Sequence, residues 1–164
     1  MKAKVLILMG SDSDMPVMEG CSGMLEEFNI PWHMTVSSAH RTPERTLKLV
    51  RDAEKNGVAV IVAGAGAAAH LAGVIAAHTT LPVIGVPIDS SPLKGVDALY
   101  ATVQMPPGIP VATMAIGRAG ARNAAIFAAQ ILGLKDRKIA AALKAYKKKM
   151  ARDVEEKARK VEKG

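Results

Sequence analysis

The segment S-S-A-H-R-T-P, Ser37 to Pro43, sets a titratable ring beside a fixed cation, just after an apolar run and just before a proline able to open a helix. A turn alone needs neither. Histidine, with an unperturbed pKa of about 6.5, gives and takes a proton near neutrality. Arginine stays charged at every relevant pH and can grip a phosphate through two parallel hydrogen bonds. His40 is therefore a candidate general acid/base and Arg41 a candidate phosphate ligand. With nothing bound, the same pair would be no more than an exposed turn.

Two further segments carry groups of this kind. G-S-D-S-D, Gly10 to Asp14, offers hydroxyls and helix-start amides suited to a phosphate, and carboxylates suited to ribose hydroxyls. Its plainer reading is a capped helix, with Asp14 as N-cap ahead of Pro16. A-G-A-G-A-A-A-H-L-A-G, Ala63 to Gly73, is only loosely similar to a dinucleotide-binding loop. Gly64 and Gly66 are followed by alanines, and no acidic residue stands where a ribose would be held. The segment instead offers bare backbone to a small planar ligand. His70 within it reads either as a second reacting group or as a packing or capping residue.

These groups need elements to hold them. Apolar runs at Val5–Met9, Val58–Ala63, Pro82–Ile88 and Val111–Ile116 read as strands, with Trp32–Val36 as a weaker one. Helical patterns alternate with them: from Pro16 toward Phe28, Pro43 to Asn56, a small-residue helix reaching about His78, Gly95 to Val103, and Ala119 to Leu132. Such alternation predicts a three-layer α/β/α domain, a flavodoxin-like doubly wound parallel sheet. In these folds ligands lie beyond the carboxyl ends of the strands. The polar segments of this chain fall at those ends, including Asp89 to Ser91 after the fourth strand.

Charge narrows the function classes. The net charge of +7 invites a nucleic-acid partner, but residues 1–134 carry 10 Lys+Arg against 10 Asp+Glu. The excess lies in residues 135–164, with 12 against 5, on a long charged helix from Asp136 to Lys163. Lys147, Lys148 and Lys149 are offset there by Glu155, Glu156 and Glu162, so the tail reads as a solvated helix or a subunit strap. With aromatics at 3%, stacking on bases is disfavoured, and no nucleic-acid partner is expected. Cys21 stands alone, which precludes an intrachain disulfide and a thiolate metal cluster. No apolar run approaches a membrane span, and M-K-A-K passes directly into the first strand, so a cytoplasmic protein without membrane contact is expected.

G-S-D-S-D, S-A-H-R-T-P, A-G-A-G-A-A-A-H-L-A-G, G-V-P-I, G-V-D-A-L-Y, V-Q-M-P-P-G-I-P-V-A-T and A-A-Q-I-L occur in this order between about Val5 and Leu134. Together they resemble the PurE family of purine biosynthesis. The resemblance implies a catalytic domain over residues 1–134 and a helical extension over 135–164 that packs on a neighbouring subunit. It also implies a homo-octamer with sites between subunits, and no metal or organic cofactor. The implied activity is that of a mutase. It moves a carboxylate from the exocyclic amine of 5-(carboxyamino)imidazole ribonucleotide to ring carbon 4, giving 4-carboxy-5-aminoimidazole ribonucleotide.

By the same resemblance His40 is the general acid/base, Arg41 the phosphate ligand, and Ser11 and Asp14 belong to the substrate loop. Ser38 and the segment from Gly66 through His70 to Leu71 match further substrate-contacting positions. The alternative branch of the family carboxylates aminoimidazole ribonucleotide directly with carbon dioxide; it usually has Lys in place of Arg41 and a different third loop, so this chain sides with the mutases. Two residues depart from the family pattern: Ala67 stands where glycine is usual and Ala72 where proline is usual. A flavin- or nucleotide-binding module without catalysis is the reading left by the fold alone.

Overall fold

The computed structural model describes residues 3–163. Five parallel strands form one sheet: β1 (Val5–Met9), β2 (Trp32–Val36), β3 (Val60–Gly66), β4 (Val83–Ile88) and β5 (Ala112–Thr113). They lie in the order β2-β1-β3-β4-β5, the flavodoxin-like order of a doubly wound sheet. The helices are α1 (Met15–Glu27), α2 (Pro43–Lys55), α3 (Leu71–Ala76), α4 (Val96–Val103), α5 (Arg118–Gly133) and α6 (Arg137–Glu162).

Side-chain alternation along the strands explains the three layers. Val5, Ile7, Met9, Val60 and Val62 face α1 and α5, where Met18, Cys21, Leu25 and the alanines 121, 124, 125, 128 and 129 pack against them. Leu6, Leu8, Ile61 and Ala63 point the other way, toward Val50 and Ala53 of α2 and Leu71, Ala72 and Ile75 of α3. Both faces of the sheet are thus covered by apolar helix surfaces, which is why β1, β3 and β4 read as unbroken apolar runs, whereas β2, at the sheet edge, alternates as W-H-M-T-V.

Two strands, β3 and β5, depart most from expectation. Val58 and Ala59 donate to the carbonyls of Ala53 and Lys4 as part of the connection, and β3 begins at Val60. It then continues past Ala63 to Gly66, since β1 pairs with it through Gly64 and β4 through Gly66. The fifth strand, expected over 111–116, shrinks to two residues. Its sole neighbour β4 presents Pro87, which has no N–H to offer, so the ladder lapses after Thr113. It is resumed by isolated bonds from the Met114 N–H to the Gly85 carbonyl and from the Gly117 N–H to the Pro87 carbonyl.

The first turn of α6 is capped by the Asp136 carboxylate, which accepts from the Lys138 and Ile139 amides. Ile139, Leu143 and Tyr146 then pack on the α1/α5 layer, with the Tyr146 ring edge-on to Phe28 at 5.5 Å. Beyond that point Met150, Val154 and Val161 are exposed. Among the described residues no helix is long and apolar enough to cross a membrane.

Candidate active site

Three strand-end loops converge at the carboxyl edge of the sheet. The loop after β1 is folded by its own short side chains. The Ser11 hydroxyl accepts from the Ser13 amide at 3.3 Å, and the Asp14 carboxylate accepts from the Ser11 amide at 3.0 Å, a reciprocal capping box on a single 3-10 turn over Asp12–Asp14. Asp14 holds the N-cap position of α1, as the plainer reading had it, but its carboxylate makes no bond to that helix and closes the box on Ser11 instead. It is 4% exposed, and burial raises its carboxyl above the usual carboxylate range. The Ser11 amide opposes that rise and the neighbouring Asp12 adds to it.

The turn after β2 is clamped at its base. Ser37 and Thr46, both buried, share a 2.8 Å hydrogen bond between hydroxyls. Thr42 receives the Ser38 amide at 3.1 Å and returns its hydroxyl to the Ser38 carbonyl at 3.0 Å, while the Ser38 hydroxyl accepts from the Arg41 amide at 3.1 Å. Arg45, which sequence reasoning did not single out, ties the start of α2 to β2 through the Val36 carbonyl and the Thr35 hydroxyl, each at 3.1 Å. The backbone of the turn is fixed by these bonds, and the His40 and Arg41 side chains remain exposed. The Arg41 guanidinium reaches only the Gly10 carbonyl, at 3.5 Å, and is otherwise available to a ligand.

The end of β3 brings bare backbone to the same place. A Cβ on Gly66 would stand 1.8 Å from the Ser90 hydroxyl, so only glycine fits there. Ala67 follows with φ +50, in the left-handed region that penalises a Cβ. Tight bonds from the Ala69 amide to Ala67 and from the His70 amide to Ala68, each 2.8 Å, complete the turn into α3. His70 does not cap α3 with its ring. Its Nδ1 lies 2.9 Å from Nε2 of His40.

These loops enclose an open cavity of about 340 Å³, within the range of small-molecule sites. Of the residues anticipated from sequence, Ser11, Asp14, Ser38, His40, Arg41, Gly66 and Leu71 line it, while His70 stands outside the lining and touches His40. A second hollow of about 570 Å³ adjoins it, sharing Gly10, Ser11, Ser38 and Arg41. Ser13 and Ser90 line the first cavity without having been chosen from sequence. The signal for Ser90 was the D-S-S stretch at the end of the fourth strand, legible as a polar loop on this edge but not as a particular contact. No group of three or more His, Cys, Asp or Glu side chains among the described residues is placed to share a metal ion.

The chemistry open to this arrangement is narrow. One cation is presented for an anion, one imidazole is exposed in the cavity wall with a second behind it, and small residues leave room for a flat ring beside them. The sequence profile described as AIR carboxylase matches residues 4–153. The chain belongs to the AIR carboxylase family. The match reaches beyond the motifs between Val5 and Leu134 and well into α6. A relative from Pyrococcus horikoshii named N5-carboxyaminoimidazole ribonucleotide mutase is 55% identical over 161 residues, 98% of this chain and 90% of that one. A relative of the same name from Escherichia coli K12 is 51% identical over 152 residues, covering 93% of this chain and 90% of its own. Among solved structures of the family, PurE of Treponema denticola superposes with a TM-score of 0.87 at 31% identity, covering 95% of this chain and 96% of its own.

Proposed function

We propose that this protein is an N5-carboxyaminoimidazole ribonucleotide mutase, the activity named for relatives more than half identical to it over nearly their whole length. One observation of its own supports the reading most: His40 and Arg41 open into the same cavity as the serine loop and the glycine end of β3. A substrate with a phosphate at one end and a reacting ring at the other calls for such a division of labour.

The proton inventory of the reaction closes on one side chain. Protonated His40 gives its proton to the exocyclic nitrogen of the carbamate, the nitrogen–carboxylate bond breaks, and carbon dioxide and the amino-imidazole are held together. Ring carbon 4, made nucleophilic by that amine, attacks carbon dioxide. Neutral His40 then takes the proton from carbon 4, which restores aromaticity and regenerates the acid. Positioned proton transfer of this kind contributes roughly 10²–10⁴-fold, and retention of carbon dioxide beside the ring supplies a proximity term on top of it. The contact between His40 and His70 needs one donor and one acceptor, so while it holds at most one of the two rings is cationic.

In this reading Arg41 grips the phosphate, Ser11 and Asp14 meet the ribose, Ser38 fixes the turn carrying Arg41, and Gly66 with Leu71 flanks the ring. The enzyme acts in the cytoplasm as a homo-oligomer, an octamer by its family resemblance, with residues 1–134 forming the catalytic unit. The distal part of α6, which leaves Met150, Val154 and Val161 uncovered, packs on a neighbouring subunit. The deciding assay supplies fresh 5-(carboxyamino)imidazole ribonucleotide without ATP or bicarbonate and follows the 4-carboxy product optically. Product forming faster than free carbon dioxide equilibrates is the expected result. Product only from aminoimidazole ribonucleotide under high carbon dioxide would make the protein a direct carboxylase, and no product from either would overturn the reading.

A further inference from the structure

Four serine hydroxyls line the cavity, and they differ in what they already do. Ser11 donates to the Asp12 carboxylate at 3.1 Å, and Ser13 donates to Ser11 at 2.9 Å. The Ser38 oxygen accepts the Arg41 amide. Ser91, next to the cavity, accepts the Leu93 amide at 3.1 Å. Among the described residues only the Ser90 hydroxyl, of the four in this lining, has no hydrogen-bond partner. It sits over the end of β3, in the space a Gly66 Cβ would need. A hydroxyl aimed into a cavity and left without a protein partner is one available to a ligand, because polar groups that a ligand buries must find partners.

The order of the strands says which end of a ligand it would meet. Arg41 follows β2 at one edge, Ser11 and Asp14 follow β1, Gly66 ends β3, and Ser90 follows β4. From β2 to β4 is three strand spacings, roughly 14 Å. A nucleotide anchored by its phosphate at Arg41 therefore extends its base toward Gly66 and Ser90. His40, though it follows β2, leans toward the same side through its bond to His70 at the start of α3. The reacting end and the Ser90 hydroxyl are then neighbours.

We propose that Ser90 is a substrate-binding residue whose hydroxyl donates to the migrating carboxylate. The proposal rests on the mutase reading. Donation to a carboxylate oxygen would hold the departing carbon dioxide on the side of the ring where carbon 4 can attack it, and Gly66 is glycine so that this hydroxyl can approach the ring over bare backbone.

The test compares two nucleotides that differ only in the carboxylate. Titration calorimetry is run on wild type and Ser90→Ala with 4-carboxy-5-aminoimidazole ribonucleotide and with 5-aminoimidazole ribonucleotide. The variant is expected to bind the carboxylated nucleotide roughly ten- to a hundredfold more weakly and the other unchanged, the loss of one hydrogen bond to a charged group. During turnover it should release a larger share of its substrate as free carbon dioxide. Ser90 is exposed and supports no bond in the protein, so its melting midpoint should stay at the wild-type value. Equal weakening for both nucleotides, or none for either, would overturn the Ser90 assignment while leaving the mutase reading in place. Wild type that binds neither nucleotide would overturn both.

Discussion

His40 and His70, 30 positions apart in the chain, meet at 2.9 Å through Nε2 and Nδ1, with their rings at 80° to each other. Two loops on neighbouring parts of the sheet edge are thereby joined by a bond between titratable groups and not by an inert contact. His40→Asn keeps a polar amide near the place of the ring's Nδ1, ends short of the Nε2 that meets His70, and removes the exchangeable proton. Turnover of 5-(carboxyamino)imidazole ribonucleotide should fall by roughly 10²–10⁴-fold, with product affinity and melting midpoint near those of wild type. Turnover within tenfold of wild type would take His40 out of the proton-transfer role.

Arg41 touches the protein only through a 3.5 Å contact to the Gly10 carbonyl, so its removal leaves no buried partner without a bond. Arg41→Leu should fold normally and lose affinity. Hydrogen bonds to charged groups contribute about 1.5–3 kcal/mol each, so losing one such bond should raise KM by roughly ten- to 150-fold. Arg41→Lys, a point charge without the planar fork, should recover part of it. Comparing the nucleotide with its phosphate-free nucleoside checks the assignment: binding of the nucleoside should be indifferent to the substitution. Unchanged affinity for the nucleotide would rule out the phosphate contact.

Much of this was legible in the residues, for identifiable reasons. β1 falls at the expected residues because it is an unbroken apolar run ending in a polar loop, and β2 because its alternating W-H-M-T-V lies between a turn and the S-S-A-H-R-T-P segment. Composition misled at β3, where Gly64 and Gly66 look like loop. They remain in the strand because β1 and β4 pair with them on both sides, and because Met18 crosses so close that a Cβ at Gly64 would stand 2.4 Å from its sulfur. The grouping of Ser11, His40, Arg41 and Gly66 on one edge followed from the alternation of strands and helices. The bond between His40 and His70 was not readable, since it depends on the strand order bringing the ends of β2 and β3 to either side of β1. Ser90 was missed for a similar reason: its significance lies in the missing Cβ of a residue on the adjacent strand.

Cys21 lies in the α1 face of the core with no exposed surface, and burial pushes its thiol up to about 12. The sign of the pH effect follows. Between its ordinary value of about 8.5 and about 12 the unfolded chain releases this proton while the folded chain retains it. The fold therefore loses stability from this group as pH rises through that window, and nothing below it. Urea midpoints from pH 8 to 11 should fall more steeply for wild type than for Cys21→Ala, in which that linkage is absent and only the other titrating groups contribute. A thiol reagent at pH 8 should leave the native protein unmodified and label it fully in denaturant. Rapid labelling of the native protein, or parallel pH slopes in the two proteins, would contradict the burial of this thiol.

Ala67 holds φ +50 immediately after Gly66 and three residues before His70. An L-residue with a Cβ pays about 1 kcal/mol or more for that conformation, whereas glycine adopts it freely. Two opposing effects decide the outcome of Ala67→Gly. Relief of the strain favours the folded state, and the greater freedom of glycine in the unfolded chain opposes it by about 0.4–1 kcal/mol. Ala67 is exposed and its Cβ packs on nothing in the core clusters, so no burial is lost. The net effect should be a gain of up to about 1 kcal/mol, which for a chain of this size is roughly 2–4 °C in melting midpoint. Ala67→Val, β-branched in the same conformation, should lose more than 1 kcal/mol. Urea midpoints with unchanged m-values measure both. If glycine and valine shift the midpoint equally, the turn is not held in the left-handed region in solution, and the close approach of His70 to His40 must be maintained by α3 alone.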